Sequence, residues 1–449
     1  MAGQVARRPF LQSGAFWLGI YVCLVVAPLA LLLIGERPRA GGFWWDFALA
    51  MGYAGLAMMG LQFALTARFK RATAPFGIDL IYYFHRHLAS IAVALLVAHA
   101  LVLLLRYPQA LGGFDPRRTP AHMAAGWIAL LAFLALIASS LMRKQLHIEY
   151  DRWRRLHVVL AVLGLVTAFV HVLGSASYLQ VAWKHALWLG LGAFWLALVV
   201  FVRLLRPLLL TRSPWRVVEV KPERGRSWTV AVEPEPGSRA ELFNYRPGQF
   251  VWLSLRASPF ALREHPFSIA SSPSRPGRLE FTVKELGDFT QTIGSIQPGE
   301  RAYVDGPYGN FGIDRFADAP GFVFIAGGVG IAPVMGLLRW LADAGEIRPL
   351  WLFYGNRDWD RVVFREELDA LSLRLSLTLV HVLGEPPDEW SGERGYMTAE
   401  VLNRHLPGKR DDLQYFVCGP EPMIRLAERS LDSLGVPLAR LHSEIFDLA

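Results

Sequence analysis

Four histidines in apolar surroundings are the residues of this sequence best suited to chemistry. His85 and His99 lie 14 residues apart, and so do His157 and His171. Fourteen residues turn an α-helix through about 1400°, within about 40° of four full turns, and rise about 21 Å. Each pair therefore shares one face of its helix. Ionisable residues inside apolar helices are costly and read as functional. On two helices running in the same direction, His85 meets His157 at one depth and His99 meets His171 at another. Facing imidazoles at two levels suit the axial ligation of two haems, in a bundle whose interior takes the flat macrocycle. Zinc is the weaker alternative, since each level supplies two ligands rather than four. Any one of these histidines alone would read as a hydrogen-bonded packing residue; the matched spacing argues for the set. His87 lies 12 residues before His99, about 120° around the helix, and is the poorer partner.

Two parallel helices must hold these pairs, and the sequence supplies them. Apolar stretches occupy residues 11–35, 47–67, 88–105, 119–142, 158–183 and 186–202. Each is roughly the ~20 residues needed to cross a bilayer. In one topology the third and fifth, which carry the histidines, run the same way. Arg7, Arg8, Arg68, Lys70, Arg71, Arg143, Lys144, Arg152, Arg154, Arg155, Arg203, Arg206 and Arg212 fall on one side. Arg37, Arg39, Arg106, Arg117, Arg118 and Lys184 fall on the other. The richer side is expected to be cytoplasmic. That gives a multi-pass cell-membrane protein with its N-terminus and C-terminal part in the cytoplasm. Arg7-Arg8 superficially matches an export signal, but the following stretch is long for one, so an uncleaved first helix is expected. His122 and His185 are read as interfacial, near the outer surface. His147, His381, His405 and His442 are read as loop residues.

Composition agrees. Of 449 residues, 53% are hydrophobic and only 19% charged, against about 25% charged in soluble globular chains. The apolar excess ends near residue 212. Two cysteines, Cys23 and Cys418, exclude a disulfide framework, a four-cysteine zinc site and a cysteine-ligated iron–sulfur cluster. With no C-x-x-C-H attachment motif, the haems are expected to be non-covalent b haems. The net charge of +8 is read as membrane asymmetry, not nucleic-acid binding.

Beyond residue 212, short strand-like runs at 216–220, 228–232, 249–255, 279–284 and 301–305 are separated by Pro- and Gly-rich turns. They predict a small antiparallel barrel. After Pro320 strands alternate with helices: strands at 321–326, 350–354, 377–382 and 414–418, helices at 332–344, 361–371 and 421–434. That is a parallel α/β nucleotide domain. Its key turn carries Gly327, Gly328 and Gly330, between a strand and a helix. Glycines there let the backbone approach a pyrophosphate, and the helix N-terminus offers free N–H groups. Pro333 suits the helix's first turn.

These residues also carry a family resemblance. Arg263-Glu264-His265-Pro266-Phe267-Ser268 resembles the flavin-contact motif of the ferredoxin–NADP reductase superfamily. Its His-Pro-Phe-Ser form is typical of transmembrane NADPH oxidases and ferric reductases. Asp305-Gly306-Pro307-Tyr308-Gly309, the 327–333 turn and Cys418-Gly419-Pro420-Glu421-Pro422-Met423 are similar to further motifs of the family, in the same order. Phe84-His85-Arg86 with His99, and Leu156-His157 with His171, resemble its haem helices. The resemblance covers about residues 75–449. A short N-terminal stretch without EF-hand motifs resembles bacterial members.

The resemblance implies three domains: a six-helix transmembrane haem-binding bundle (1–212), an antiparallel β-barrel FAD domain (213–318) and an α/β parallel-sheet NAD(P) domain (319–449). His265, Pro266, Phe267 and Ser268 would line the flavin ring, with Ser268 near N5. Arg263, Lys284, Gly287 and Thr290 would hold the FAD phosphates or ribityl chain. Gly327, Gly328 and Gly330 would cradle the NAD(P) pyrophosphate. Cys418, followed by Gly419 and Pro420, would sit by the nicotinamide; its plain alternative is a small buried apolar residue. Arg357 suits an NADP 2′-phosphate, which favours NADPH over NADH, although Asp358 beside it weakens that preference. Phe446 would stack on the flavin, or serve as a core residue at a strand end.

The implied activity is electron transfer from cytoplasmic NAD(P)H through FAD and two haems to an outer acceptor. That acceptor is O2, giving superoxide, or ferric iron. The expected cofactors are FAD, two b haems and NADPH or NADH. The expected partners are a small-molecule acceptor and membrane lipid, with no nucleic acid and no obligatory protein partner. The rival is a membrane-tethered flavin reductase feeding a separate redox partner. A channel with a nucleotide-sensing domain is disfavoured, because the spans contain few polar residues.

Overall fold

The computed structural model describes residues 14–35, 41–69, 78–111, 119–175 and 177–445, in two compact units, Met1–Arg206 and Pro207–Ala449. Among the described residues the first unit is helical, with α1 (Gly14–Leu32), α2 (Phe43–Thr66), α3 (Ile78–Arg106), α4 (Ala121–Leu141), α5 (Tyr150–Ser175) and α6 (Ala182–Val200). A π turn, Phe201–Leu205, continues α6. Leu105, Leu131, Leu141 and Val159 are all more than 60% exposed. Large apolar side chains facing outward in such number belong in lipid rather than water.

Five of these helices are long and apolar enough to cross a bilayer; the first contributes an apolar run of only Phe16–Leu32. The expected count of six is therefore met by five among the described residues, because the start of the first stretch lies outside them.

Inside the unit, small residues let helices touch. A Cβ on Gly60 of α2 would lie 2.2 Å from the Trp195 ring of α6, and one on Gly164 of α5 would lie 2.5 Å from Phe133 of α4. Close packing at small residues is the usual basis of helix association in lipid. Helix α2 pairs with α3, and α4 with α5. Lys184 is fully buried and donates to Leu32 O at 2.7 Å. This satisfies a carbonyl at the C-terminal end of α1.

The second unit holds two sheets. The antiparallel one comprises β1 (Pro214–Glu223), β2 (Ser227–Pro234), β3 (Phe250–Leu255), β4 (His265–Ser268), β5 (Leu279–Lys284) and β6 (Arg301–Tyr308), in the order β4-β3-β6-β1-β2-β5. It curls until its edges approach. One bridge, Ile269 to Phe281, and the bond Ala270 N–H to Glu280 O at 2.8 Å link them. The structure thus gives a curled sheet where a full barrel was expected. The edges meet through the residues just after β4, not along a paired ladder.

The other sheet is wholly parallel, with β7 (Phe322–Gly327), β8 (Leu350–Asn356), β9 (Leu377–Leu383), β10 (Glu393–Arg394), β11 (Gln414–Gly419) and β12 (Leu441–Ile445) in the order β10-β9-β8-β7-β11-β12. Every residue of β7 and β11 is buried, as expected for strands covered on both faces. Helices α7 (Ile331–Asp343) and α8 (Arg365–Arg374) cover one face, and α9 (Ala399–His405) and α10 (Glu421–Ser433) the other. The strand order reverses between β7 and β11. In open α/β sheets that crevice, beyond the strands' carboxyl ends, is where ligands bind.

Candidate functional site

The sequence-predicted residues fall into two groups, one in each unit. In the helical unit, His85 on α3 faces His157 on α5 with ring centroids 6.2 Å apart. His99 faces His171 across the same helices at 6.4 Å. Two imidazoles bonding one metal from opposite sides, at about 2 Å per bond, place their centroids about 6.3 Å apart. Both separations fit. His87 turns elsewhere, its Nδ1 lying 2.8 Å from Tyr83 O.

Hydrogen bonds fix which nitrogen faces inward. His99 Nδ1 lies 2.8 Å from Ala48 O, and His171 Nδ1 lies 3.0 Å from His122 O. A carbonyl only accepts, so each Nδ1 carries the proton and each Nε2 keeps a free lone pair. That is how metal-bound histidines are usually held. The other level is looser: His157 Nδ1 is 3.4 Å from Ser140 Oγ, and Ser140 donates to Leu136 O at 2.7 Å. Between His99 and His171 lies a cavity of about 110 Å3, walled by Tyr53, Leu56, Leu96, Leu103 and Phe133. Among the described residues no three His, Cys, Asp or Glu side chains gather to hold a metal ion. The donor set is two nitrogens per level, with apolar walls at the His99–His171 level. It fits a flat macrocycle that brings its own equatorial ligands.

Two residues of this site escaped sequence reading. A Cβ on Gly52 would lie 2.9 Å from His99 Nδ1, and one on Gly126 would lie 2.7 Å from His171 Nδ1. These glycines make room for the rings. A search for small residues at histidine depth on the neighbouring helices would have found them. His122, expected near the outer surface as an interfacial residue or as a contact for a haem propionate or external substrate, supplies the carbonyl for His171. His185 lies in the first turn of α6.

In the second unit, β4 is the His265-Pro266-Phe267-Ser268 motif, paired with β3. The His265 ring stacks on Phe289 at 3.9 Å, and Phe267 lies 6.2 Å from the same ring. Ser268 is 3% exposed, and its Oγ has no hydrogen-bond partner. An unsatisfied buried polar group costs about 1–3 kcal/mol, so a ligand atom bonding there would be rewarded. Arg263 lies two residues before the strand. The Thr290 hydroxyl accepts from Leu286 N–H at 2.8 Å and Gly287 N–H at 2.9 Å. It is committed to closing its own turn.

The nucleotide turn sits at the sheet's switch point. Gly328 adopts φ +53. A Cβ on Gly330 would lie 2.4 Å from Cys418 O, so only glycine lets the two strand ends approach. Helix α7 starts at Ile331 with Pro333 in its first turn. Lys284, at the end of β5, brings its Nζ within 4.0 Å of where a Gly328 Cβ would be. Its charge therefore stands at the glycine turn. Burial, then the Arg361 charge, pushes the Lys284 ammonium below the usual lysine range, while Asp358 opposes this.

Cys418 is fully buried within the core under α7, at the end of β11, and Gly419 and Pro420 lead into α10. Arg357 follows β8 and pairs with Glu385 at 2.9 Å. The pair is solvent-exposed and engages only Nε. Phe446 lies outside the described residues.

The histidines assigned to loops need correction. His381 is on β9, His405 ends α9 and His442 is on β12; only His147 lies in a turn. His405 Nε2 reaches Glu393 at 2.7 Å and His442 Nε2 reaches Gln414 at 3.0 Å. His381 packs between Tyr354 and Trp359, and burial lowers its imidazole to about 4. Tertiary packing, not local polarity, positions all three.

Comparison with known proteins gives three family matches. Residues 51–168 match the family described as ferric reductase like transmembrane component, 236–311 the FAD-binding domain, and 324–429 the oxidoreductase NAD-binding domain. The ferredoxin–NADP reductase B of Sorangium cellulosum is 32% identical over 52% of this chain and 96% of its own length. The glycine betaine monooxygenase reductase subunit of Chromohalobacter salexigens is 31% identical over 49% of this chain. This chain spans only 61% of that relative's length, and 66% of the Rhizobium meliloti stachydrine N-demethylase reductase subunit. Among solved structures, Malassezia yamatoensis flavohemoglobin aligns over 89% of this chain and 97% of its own, with TM-score 0.49 and 14% identity. The Amycolatopsis cytochrome P450 reductase aligns over 52% of this chain and 69% of its own, with TM-score 0.46 and 21% identity.

Proposed function

The chain belongs to the ferredoxin–NADP reductase family, carries a ferric reductase-like transmembrane component and is an NAD(P)H-dependent oxidoreductase; on that premise we propose that it moves electrons across a membrane. The donor is NADPH or NADH on the cytoplasmic side. The acceptor on the far side is O2, which one electron turns into superoxide, or ferric iron. The observation that carries this reading is the pair of imidazole couples, 6.2 and 6.4 Å apart, on the same two helices.

When bound, FAD would convert hydride to single electrons, and haems at the two levels would carry single electrons onward. The chain's own residues hold and shield these groups. His85 with His157, and His99 with His171, would hold the two haem irons. Ser268 offers its unpaired hydroxyl to the flavin ring edge near N5, and His265, Pro266 and Phe267 wall the ring. Arg263, Gly287 and Thr290 border the rest of FAD. Gly327, Gly328 and Gly330, with the N-terminus of α7, take the NAD(P) pyrophosphate; Lys284, expected on the FAD side, has its Nζ at this turn and balances the pyrophosphate charge instead. Cys418, Gly419 and Pro420 border the nicotinamide. Arg357, bonded to Glu385 through Nε, offers its terminal amino groups to a 2′-phosphate. In this reading residues 1–212 form the membrane domain with six spans, 213–318 the FAD domain and 319–449 the NAD(P) domain. Both termini are cytoplasmic.

A second reading has an observation in its favour. The Chromohalobacter and Rhizobium relatives are named as reductase subunits, so the expectation of no obligatory protein partner lacks support. A membrane-tethered reductase could hand its electrons to another protein. An anaerobic absorbance spectrum of the full chain with FAD, before and after NADPH, separates the two. We expect about two b haems per chain to become reduced. Haem absent, or unreduced while the flavin bleaches, would sink the transmembrane path and favour the tethered reductase.

A further inference from the structure

The helix that starts at the glycine turn is fastened to the segment that follows the flavin-motif strand, and to β5. Arg339 stands on α7, nine residues after Gly330, and its side chain is 17% exposed. Nε and Nη2 donate to both oxygens of Glu367 on α8, at 2.6 and 2.7 Å. Nη1 donates to Ala270 O at 2.8 Å and to Glu280 Oε2 on β5 at 3.0 Å. One turn earlier, a Cβ on Gly336 would lie 2.6 Å from Ile269 O. Helix α7 therefore touches the two residues that immediately follow Ser268, once by close approach and once by hydrogen bond.

An ion pair could join these two sheets anywhere along their rim. This one closes on a backbone carbonyl two residues from Ser268, through a helix whose first residue follows Gly330. The span from Gly330 to Arg339 is about 13.5 Å of α-helix, a stiff link between the two binding segments. Guanidinium suits the task because its planar fork serves several acceptors at once, whereas ammonium is a point charge.

We propose that Arg339 is a positioning residue for hydride transfer. It sets the separation between a nicotinamide nucleotide held at the Gly328–Gly330 turn and a flavin ring held at Ser268. The inference rests on reading those segments as the two dinucleotide sites. In the step concerned, the C4–H bond of the reduced nicotinamide breaks with its electron pair. A new N–H bond forms at flavin N5, leaving oxidised nicotinamide and reduced flavin. The reacting atoms must stand about 3–3.5 Å apart, and a misplacement of about 1 Å can cost about 100-fold in rate. Arg339 itself touches neither reacting atom.

The test uses the full-length chain loaded with FAD, as wild type, Arg339→Lys, Arg339→Met and Glu367→Gln. Flavin content, NADPH affinity, the single-turnover rate of flavin bleaching with NADPH and its C4-deuterated form, and hydrogen exchange at 269–271 are all measured. The proposal expects every variant to keep its flavin and to bind NADPH within about threefold of wild type. The bleaching rate should fall about 10- to 100-fold in Arg339→Met, and less in Arg339→Lys and Glu367→Gln. The isotope effect should rise and exchange at 269–271 should quicken. An unchanged rate with quickened exchange would make the clamp merely structural and overturn the proposal. So would rate losses that only track flavin loss in all three variants. A wild-type chain that binds FAD but is not bleached by NADPH would instead overturn the underlying reading, and the proposal with it.

Discussion

Lys284 connects a single side chain to a measurable pH profile. Its ammonium is held below the ordinary lysine range, first by burial and then by Arg361, yet the charged form is the one that attracts a phosphate. Affinity should therefore weaken as pH rises through that lowered value. In steady-state assays the KM for NADPH should climb by up to about tenfold per pH unit there. Lys284→Met should show a high, flat KM, and a wild-type KM independent of pH up to the ordinary lysine range would refute the assignment. Folding stability runs the other way. The unfolded chain binds this proton more tightly, so Lys284 destabilises the fold at neutral pH and the penalty fades as pH rises. At this scale the sequence was legible where chemistry repeats at a period. The 14-residue spacing anticipated which imidazoles would face each other. The carbonyls of Ala48 and His122, and the partners of Arg339, were not legible. A backbone acceptor leaves no letter in the sequence, and Glu280 and Glu367 lie 59 and 28 residues from Arg339.

Elements decide whether those side chains can approach. Helices α4 and α5 come close enough for His171 to reach His122 O because Gly126 has no side chain. Gly126→Ala places a methyl 2.7 Å from His171 Nδ1, so the ring must turn. We expect the purified wild type to hold about two b haems and the variant about one, counted by pyridine haemochrome absorbance. Destabilisation should be about 1–3 kcal/mol, the usual cost of overpacking. Equal haem content would show that the ring's seat is unimportant. The long apolar helices and the strands β1, β2, β3 and β5 could be read from hydrophobicity and period. Strand β4 could not, since its four residues contain a proline and carry no period. The helix expected at 361–371 begins at Arg365, because residues 359–361 form a separate 3-10 turn packed under the Arg365 guanidinium. Strand β12 was missed because its sequence, Leu-His-Ser-Glu-Ile, is barely apolar. Pairing with β11 makes it a strand.

For the whole molecule, the test is whether electrons cross. The full chain in sealed vesicles with ferricyanide trapped inside should reduce that ferricyanide when NADPH, which does not cross lipid, is added outside. His171→Ala should abolish this while flavin bleaching persists. Reduction confined to an external acceptor would leave only the tethered reductase. The division of the chain was visible in its composition, which changes within a few residues of the Arg206–Pro207 break between units. The mutual fit of the two sheets in the second unit was not, because it depends on lengths rather than letters. The link from Gly330 to Arg339 works by count. One residue inserted into α7 would rotate everything beyond it by about 100°, swinging the guanidinium away from Ala270 and Glu280. Along this helix a lineage is free to respell exposed positions but not to lengthen or shorten the word, and a designer exchanging nucleotide domains between relatives must keep that number before matching any residue.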